Sequence, residues 1–412
     1  MNAINLGPIC SDNSLIYNSL NNFQSFLKIE HWNVTSFCAS TSSGKLDEIR
    51  HILEGNHLDI VGFSETWLKS YVLSQAVNIP GYHLCRHDRQ DGRRGGGVAL
   101  LISDRFKFRT VFLSEVGDVC EALFIEISVQ DTKLLIGVCY LPDGDLGAFE
   151  NSVGDLLVRY TNIIVVGDFN KNLFCPIDST TVRSMCMRLD LTYHHNSIPT
   201  HFHAGCNTTS LIDFFLLSDT ISICTSGQMQ CPGVSHHSLI FMAIDIPISS
   251  SPCFVSYPDY KALKAEDLAT AVQDSDFSGI YFTNDVNLQL EIVMSNIVFL
   301  HDLVPVVRKR VGARKEDWFN NREIHYQKSL RDLAYRHYMQ CWTPLNWKVF
   351  CVHRNRVKKV IRKLRMREHA HFFQDSEPET MWKFLKKNGC LETREHLTMC
   401  NPDNLNEFVR QS

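Results

Sequence analysis

The stretch Asn162-Ile163-Ile164-Val165-Val166-Gly167-Asp168-Phe169-Asn170 most limits what this chain can fold into. Four consecutive β-branched residues predict a strand buried on both faces, because a half-exposed strand alternates apolar with polar residues. The strand stops at a glycine and delivers a carboxylate and a carboxamide to its tip. Packing needs neither group there, whereas α/β folds build sites from polar residues at strand ends. A Gly-Asp turn closed by an Asx cap is the plainer account of the same residues.

Similar endings recur along the chain. Residues 27–32 alternate as a strand and end at Asn33. A helix follows, with Leu46, Ile49, Ile52 and Leu53 on one face and Gly55-Asn56 as its stop. The strand at 58–63 ends at Ser64-Glu65-Thr66. Three strands thus deliver Asn33, Glu65, and Asp168 with Asn170, as they would at the rim of one sheet. Strands are also predicted at 98–102, 122–127 and 133–140, the last ending at Tyr140-Leu141-Pro142, and a helix near 149–157. Asp91-Gly92-Arg93-Arg94-Gly95-Gly96-Gly97 leads directly into the first of these. Its glycines permit a tight bend or close approach of a ligand, and its arginines suit phosphates. A charged, flexible hairpin loop is the competing account.

Asp213 interrupts the apolar strand at 211–218. An isolated buried charge costs several kcal/mol, so it calls for a His, Arg or metal partner. Ser235-His236-His237, just before a last strand at 239–244, offers candidates. Strands interspersed with helices predict an α/β sandwich of mixed sheets.

The 412 residues leave room for one large domain plus a smaller appendage, or for two ordinary domains. With 44% apolar and 21% charged residues, the chain is expected to be globular and soluble. It shows no bilayer-spanning apolar run and no secretory signal. Fifteen cysteines without a Cys-x-x-Cys pair suggest reduced thiols in an intracellular protein. The net charge of −4 conceals a basic region: residues 308–367 hold 18 Lys or Arg against four Asp or Glu. Val357, Val360, Ile361 and Leu364 mark an amphipathic helix with a basic outer face, and Pro344 separates it from an earlier helix around 323–339. The expected division is a leader at 1–26, an α/β domain at 27–246, a linker with weak helices at 247–300, a basic helical connector at 301–395, and a tail at 396–412. His194, His195, His201, His203 and Cys206 have spacing that could contact zinc, although surface histidines account for them as well.

Taken together, these segments resemble the endonuclease/exonuclease/phosphatase superfamily, and within it the apurinic-type endonuclease of non-LTR, jockey-like retrotransposons. The resemblance covers about residues 27–246. It rests on Trp32-Asn33, Ser64-Glu65-Thr66-Trp67, Gly81-Tyr82 with Arg93-Arg94-Gly95-Gly96-Gly97-Val98-Ala99, Tyr140-Leu141-Pro142, Gly167-Asp168-Phe169-Asn170, Leu211-Ile212-Asp213 and Ser235-His236-His237. It implies a four-layer α/β sandwich of two mixed β-sheets and metal-dependent hydrolysis of a phosphodiester, typically a DNA nick leaving a 3′-hydroxyl. Glu65 would hold Mg²⁺ with Asn33 beside it, and Asp168 would orient or deprotonate the attacking water. Asn170 and Tyr140 would steady the phosphate oxygens. His237, paired with Asp213, would stabilise charge on the phosphorane. Arg93, Arg94, Thr200 and Ser235 would contact DNA.

One position departs from the family's Ser-Asp-His: here it is Ser235-His236-His237. Losing that carboxylate weakens the expected Mg²⁺ affinity, and an imidazole suits Mn²⁺ or Zn²⁺ better. The alternative readings are therefore a DNA-binding module with impaired catalysis, or another phosphoesterase of the superfamily. The basic, mostly α-helical C-terminal region, with Trp318-Phe319 and Trp382-Lys383-Phe384-Leu385, resembles the connector of such elements and suggests nucleic-acid contact through 308–367. A reverse transcriptase follows it in those elements; with no paired-aspartate motif before Ser412, a fragment, truncated frame or derived host protein is expected. A monomer acting in the nucleus, without membrane association, completes the expectation.

Overall fold

At Gly62 two β-sheets pack without room for a side chain: a Cβ there would lie 2.7 Å from Val166 Cγ2 and 3.1 Å from Val138 Cγ2. A side chain at this position would push the layers apart. The structure is a computed structural model that describes residues 20–387, apart from 21–22, 24, 38–43, 57, 116, 118, 131, 204–207, 249–253, 259–262, 303, 311–320 and 376. The expected leader and tail, Cys206 and Trp318-Phe319 lie wholly or largely outside the described residues.

The first sheet contains β1 (Phe26–Asn33), β2 (Ile60–Ser64), β3 (Tyr82–His87) and β4 (Val98–Ser103), with β13 (Ile223–Met229) and β14 (Leu239–Pro247). Their order is β13-β14-β1-β2-β4-β3, with β1 and β2 parallel and the other pairs antiparallel. The second sheet contains β5 (Phe108–Leu113), β6 (Glu121–Val129), β7 (Thr132–Tyr140), β8 (Ile163–Asp168), β9 (Thr192–His194) and β12 (Asp213–Leu217). Its order is β5-β6-β7-β8-β12-β9, and only β7 and β8 run parallel. β10 (His201–His203) and β11 (Thr208–Ser210) form a small antiparallel pair.

Leu27, Ile29, Ile60, Leu100, Ile136, Val138, Ile164 and Val166 fill the space between the sheets. The opposite face of the first sheet packs under α1 (Lys45–Asn56) through Trp32, Val61, Ile49 and Leu53. The outer face of the second is covered by α2 (Leu146–Leu157) and α3 (Pro176–Leu189), whose Phe149, Val153, Val182 and Met185 meet Val165, Phe214 and Leu216. These layers make a four-layer α/β sandwich.

Several elements had no signal in the sequence. In α3 only Val182, Met185 and Cys186 are buried, so its apolar stripe is thin. β9, β10 and β11 have three residues each, too few for alternation to show. The basic run counted from Arg308 opens as a strand, not a helix: β16 (Val306–Arg310) pairs antiparallel with β15 (Phe254–Pro258). Both belong to a separate compact unit, residues 251–313, which also contains α4 (Ala265–Asp274) and α5 (Val286–Asp302). Among the described residues, no helix is long and apolar enough to cross a membrane, and the nine cysteines are free thiols.

The C-terminal helices α6 (Arg322–Gln340), α7 (Pro344–Asp375) and α8 (Pro378–Lys387) cluster in one unit with the sandwich. Pro344 opens α7 at its first position, where a missing N–H costs nothing. Arg331 of α6 is fully buried and donates to both carboxylate oxygens of Glu48 on α1, at 3.0 and 2.8 Å, and to Asp332 at 2.8 Å. Ile361 packs over Gly44, and Arg365 pairs with Asp47. Removing one partner of a buried pair strands the other charge. Arg331→Ala should therefore lower the unfolding free energy by about 3 kcal/mol, read from the midpoint and slope of a urea titration; a change under about 0.5 kcal/mol would show that the pair is dispensable.

Candidate active site

Each strand that ends at the rim carries one polar group, and the two sheets meet there. Asn33 ends β1 and Glu65 follows β2, whereas Asp168 ends β8, Tyr140 ends β7 and Asp213 opens β12. The polar endings therefore come from the rims of two facing sheets, not one. The antiparallel register places Asp213 opposite Asp168, and the parallel register places Tyr140 beside Asp168.

Asn33 links the two sides. Its Nδ2 donates to Glu65 Oε1 at 2.9 Å and to Asp168 Oδ2 at 2.8 Å. Its Oδ1 accepts from the Thr35 backbone N–H at 3.0 Å, so the amide oxygen is turned away from the carboxylates. Glu65 also accepts from the Tyr140 hydroxyl at 3.2 Å and from Trp67 Nε1 at 3.1 Å. All three of its donors are neutral. Burial and the Glu65 charge push the Tyr140 pKa upward, so this phenol stays a donor. Glu65 itself has φ of 51°, in the left-handed region, where a non-glycine residue is strained.

Asp168 and Asp213 are both buried. Asp213 Oδ2 meets His237 Nδ1 at 2.9 Å, and the same nitrogen lies 3.9 Å from Asp168 Oδ2. Burial disfavours charge on His237, but the Asp213 carboxylate and its hydrogen bond outweigh that and raise its pKa to about 9. Burial would raise Asp213, yet His237 holds it below its usual range. Asp168 is raised to about 7 by burial and by the Asp213 charge, against the pull of His237. Asp168, Asp213 and His237 are also the one group of metal-ligating side chains that converges among the described residues.

Thr200 and Ser235 brace this cluster. Thr200 Oγ1, 3% exposed, accepts from the backbone N–H groups of Ile212 and Asp213. Ser235 Oγ accepts from the His237 N–H at 3.1 Å and lies 3.3 Å from Thr35 Oγ1. Asn170, exposed and with φ of 49°, donates its N–H to Asp168 Oδ1 and its Nδ2 to the Leu141 carbonyl. Arg93 pairs with Asp91, and Arg94 lies over the Trp67 ring, 5.1 Å from its centroid. The glycine-rich segment borders the site because the Gly96 and Gly97 carbonyls accept from the Trp67 and Thr66 N–H groups.

His236 points elsewhere. It is exposed, outside the converging group, and its ring lies 6.1 Å from that of Trp347 in α7. The other histidines do not assemble into a zinc site among the described residues: His194 bonds Ser226, His195 accepts from the Ser197 N–H, and the His201 ring lies tilted against that of His237, centroids 4.3 Å apart.

Three residues near the cluster had no role in it assigned from sequence. His31 is fully buried, 3.6 Å from Asp213, with Nε2 against Ser64 Oγ. Two-residue strand periodicity puts His31 on the face of Asn33, a signal available in the sequence. Trp67 and His201 had no comparable signal for contacts to Glu65 and His237.

These titrations set a pH optimum for the metal-free fold. Burial lowers His31 to about 4, and burial with His237 lowers His201 to about 3. Depressed histidines stabilise fully above their unfolded pKa of about 6.5 and lose that contribution as the pH falls toward 4. Raised Asp168 and Glu30 oppose them in that range, while His236, also lowered to about 4, joins them. Raised His237 stabilises below about 6.5 and loses its contribution as the pH rises through about 9. Urea midpoints in EDTA should peak near pH 6, and Asp213→Asn should flatten the alkaline limb; an alkaline limb unaffected by that change would sink the assignment to His237.

The profile of the Endonuclease/Exonuclease/phosphatase family matches residues 31–237, which include every buried polar group of this site. A search of curated proteins finds no match to this sequence. Among solved structures, the AP endonuclease LMAP from Leishmania major is similar at 15% identity, covering 55% of this chain and 90% of that chain, with a TM-score of 0.47. The endonuclease domain of TRAS1, a telomere-specific non-LTR retrotransposon, is similar at 12% identity, over 54% of this chain and 99% of that chain, with a TM-score of 0.43. The 3′-5′ exonuclease NExo from Neisseria meningitidis is similar at 17% identity, over 52% and 98%, with a TM-score of 0.41. The profile spans half of the chain, from the strand that ends at Asn33 to the histidine that Asp213 holds, and this protein belongs to the endonuclease/exonuclease/phosphatase family.

Proposed function

We propose that this protein is a divalent-metal-dependent phosphodiesterase that nicks DNA, as a retrotransposon endonuclease does. The observation that carries the reading is the convergence of three carboxylates, Glu65, Asp168 and Asp213, on a rim with one raised histidine and neutral donors. Membership of the family supports phosphoester hydrolysis. The resemblance of Arg93-Arg94-Gly95-Gly96-Gly97 supports the retrotransposon branch, and such an enzyme would work in the nucleus.

The donor set fits a hard cation. Carboxylate oxygens outnumber the nearby cationic groups, and oxygen ligands suit Mg²⁺ or Mn²⁺. Glu65 would hold the ion, with Asn33 beside it, and the ion would neutralise phosphate charge. Asp168, with a pKa of about 7, is suited to take the proton of an attacking water. His237 keeps Nδ1 on Asp213, which leaves Nε2–H to meet the charge that develops on the phosphoryl oxygens. Tyr140 and Asn170 border the same space. Arg94 and Arg93, in the glycine-rich segment that borders the site, would contact the DNA backbone.

His236 bears on how strongly the enzyme turns over. Its imidazole lies beside Trp347 and supplies no carboxylate toward the rim. A second reading, DNA binding with little cleavage, follows from that loss.

Supercoiled plasmid separates these readings. Wild type should nick with Mg²⁺ or Mn²⁺ and stop in EDTA, and His237→Ala or Asp168→Asn should slow nicking by 10² or more, about 3 kcal/mol of barrier. His236→Asp should raise the rate in Mg²⁺ more than in Mn²⁺. An inert wild type rescued by His236→Asp would select the impaired module, and inert protein in every case would end the nuclease proposal.

A further inference from the structure

The cations of α7 divide into two sets. Residues 344–367 contain nine Lys or Arg and no Asp or Glu. On the inner side, Arg365 pairs with Asp47, Lys358 adds its charge to the field around Glu48, and Arg354 lies 5.7 Å from the centroid of the Phe350 ring. Those contacts account for docking of the helix on α1. Lys348, Arg356, Lys359, Arg362, Lys363 and Arg367 are exposed and form no ion pair with a described residue. At 100° per residue they fall on one stripe about 140° wide, opposite Phe350, Val357 and Ile361.

A face that only keeps a helix soluble mixes both signs, whereas a single-sign stripe creates a directed field. This stripe is also fixed relative to the site. Phe202, close to His237, packs its ring 5.7 Å from Tyr338 and 5.1 Å from Trp342, and Trp347 lies beside His236. The helix that carries the stripe therefore begins beside His236, the neighbour of His237 in the chain. Positions 348–367 span about 29 Å of helix, the length of about eight base pairs.

We propose that the outer face of α7 is a phosphate-backbone track for the DNA duplex flanking the cleavage site. It rests on the reading of the site as a DNA phosphodiesterase. The track contacts phosphates and no bases, so it adds affinity and register without sequence preference. The helical hairpin is thereby part of the substrate-binding surface, held by the Arg331–Glu48 pair.

The test measures binding without cleavage. The full chain in EDTA would be titrated with fluorescein-labelled 12- and 30-base-pair duplexes between 50 and 250 mM salt. Each phosphate contact contributes about 0.9 to the slope of log K against log salt. The variant Arg356→Gln/Lys359→Gln/Lys363→Gln/Arg367→Gln should lose about 2–4 of that slope, bind the 30-mer at least tenfold more weakly at 100 mM salt, and lose the preference for the longer duplex. Equal slope and affinity in variant and wild type would overturn the track. So would a loss of binding confined to phosphatidylserine vesicles. Circular dichroism would reveal a misfolded variant, and the single change Lys363→Gln, expected to remove about 0.9 of slope, then decides. If the site reading alone is wrong, the slope shift persists while wild type fails to nick plasmid in Mg²⁺ and Mn²⁺.

Discussion

Asp168 and Asp213 face each other across two antiparallel strands, in a place that water hardly reaches. Two buried carboxylates at this separation repel, and ionising both without compensation is unfavourable. The surroundings resolve the conflict asymmetrically. Asp213 takes the His237 imidazolium and is stabilised as an anion, while Asp168 is left with a raised pKa, one amide donor and one backbone N–H. The same asymmetry separates a group that keeps its charge from a group ready to accept a proton, which is how a single environment assigns different roles to like residues.

The rest of the structure maintains that arrangement. Gly62 lets the two sheets approach, so that Asn33 of one can reach Asp168 of the other. Past the strand ends, Ser36 and Phe37 donate their N–H groups to the Glu65 and Thr66 carbonyls, and Thr66 and Trp67 donate to Gly97 and Gly96. These bonds carry the first sheet beyond its regular strands and hold Thr35, Ser36, Glu65 and Trp67 at positive φ. Such conformations cost about 1–3 kcal/mol each and persist where neighbouring contacts over-determine them. The helical hairpin of α6 and α7 adds a third support, through Arg331 beneath the 231–235 loop, where a Gly233 side chain would collide with the Arg331–Glu48 pair.

Legibility differed from element to element for physical reasons. β8 was plain because four β-branched residues in a row have few other uses. α3 was hidden because Thr180, Thr181 and Ser184 bond their own helix carbonyls and its buried face is only three residues wide. The charge of Asp213 within an apolar run announced that a partner must exist, since burial without one is costly. The pattern alone left His236 and His237 open as that partner, and only the family resemblance pointed to His237, whose Nδ1 lies 2.9 Å from Asp213 Oδ2. Thr200 was read as a DNA contact, but it lies beneath the backbone of Asp213, where only the folded path of β10 and β12 could have placed it.

Local chemistry was thus written in the chain itself: the strand that ends in Asp168, the need of Asp213 for a counter-charge, and the excess of Lys and Arg after residue 308 follow from side-chain volume, burial and charge. Convergence was decided by the tertiary structure. Asn33, Glu65, Asp168 and His237 are separated by 32, 103 and 69 positions, so no local pattern relates them. Their meeting depends on two sheets packing face to face at a glycine, a long-range contact whose geometry comes from side-chain packing between layers. The same holds for α7. Its sequence shows a basic face, but which cations are neutralised by Asp47 and Glu48 and which remain outward depends on how the helix docks.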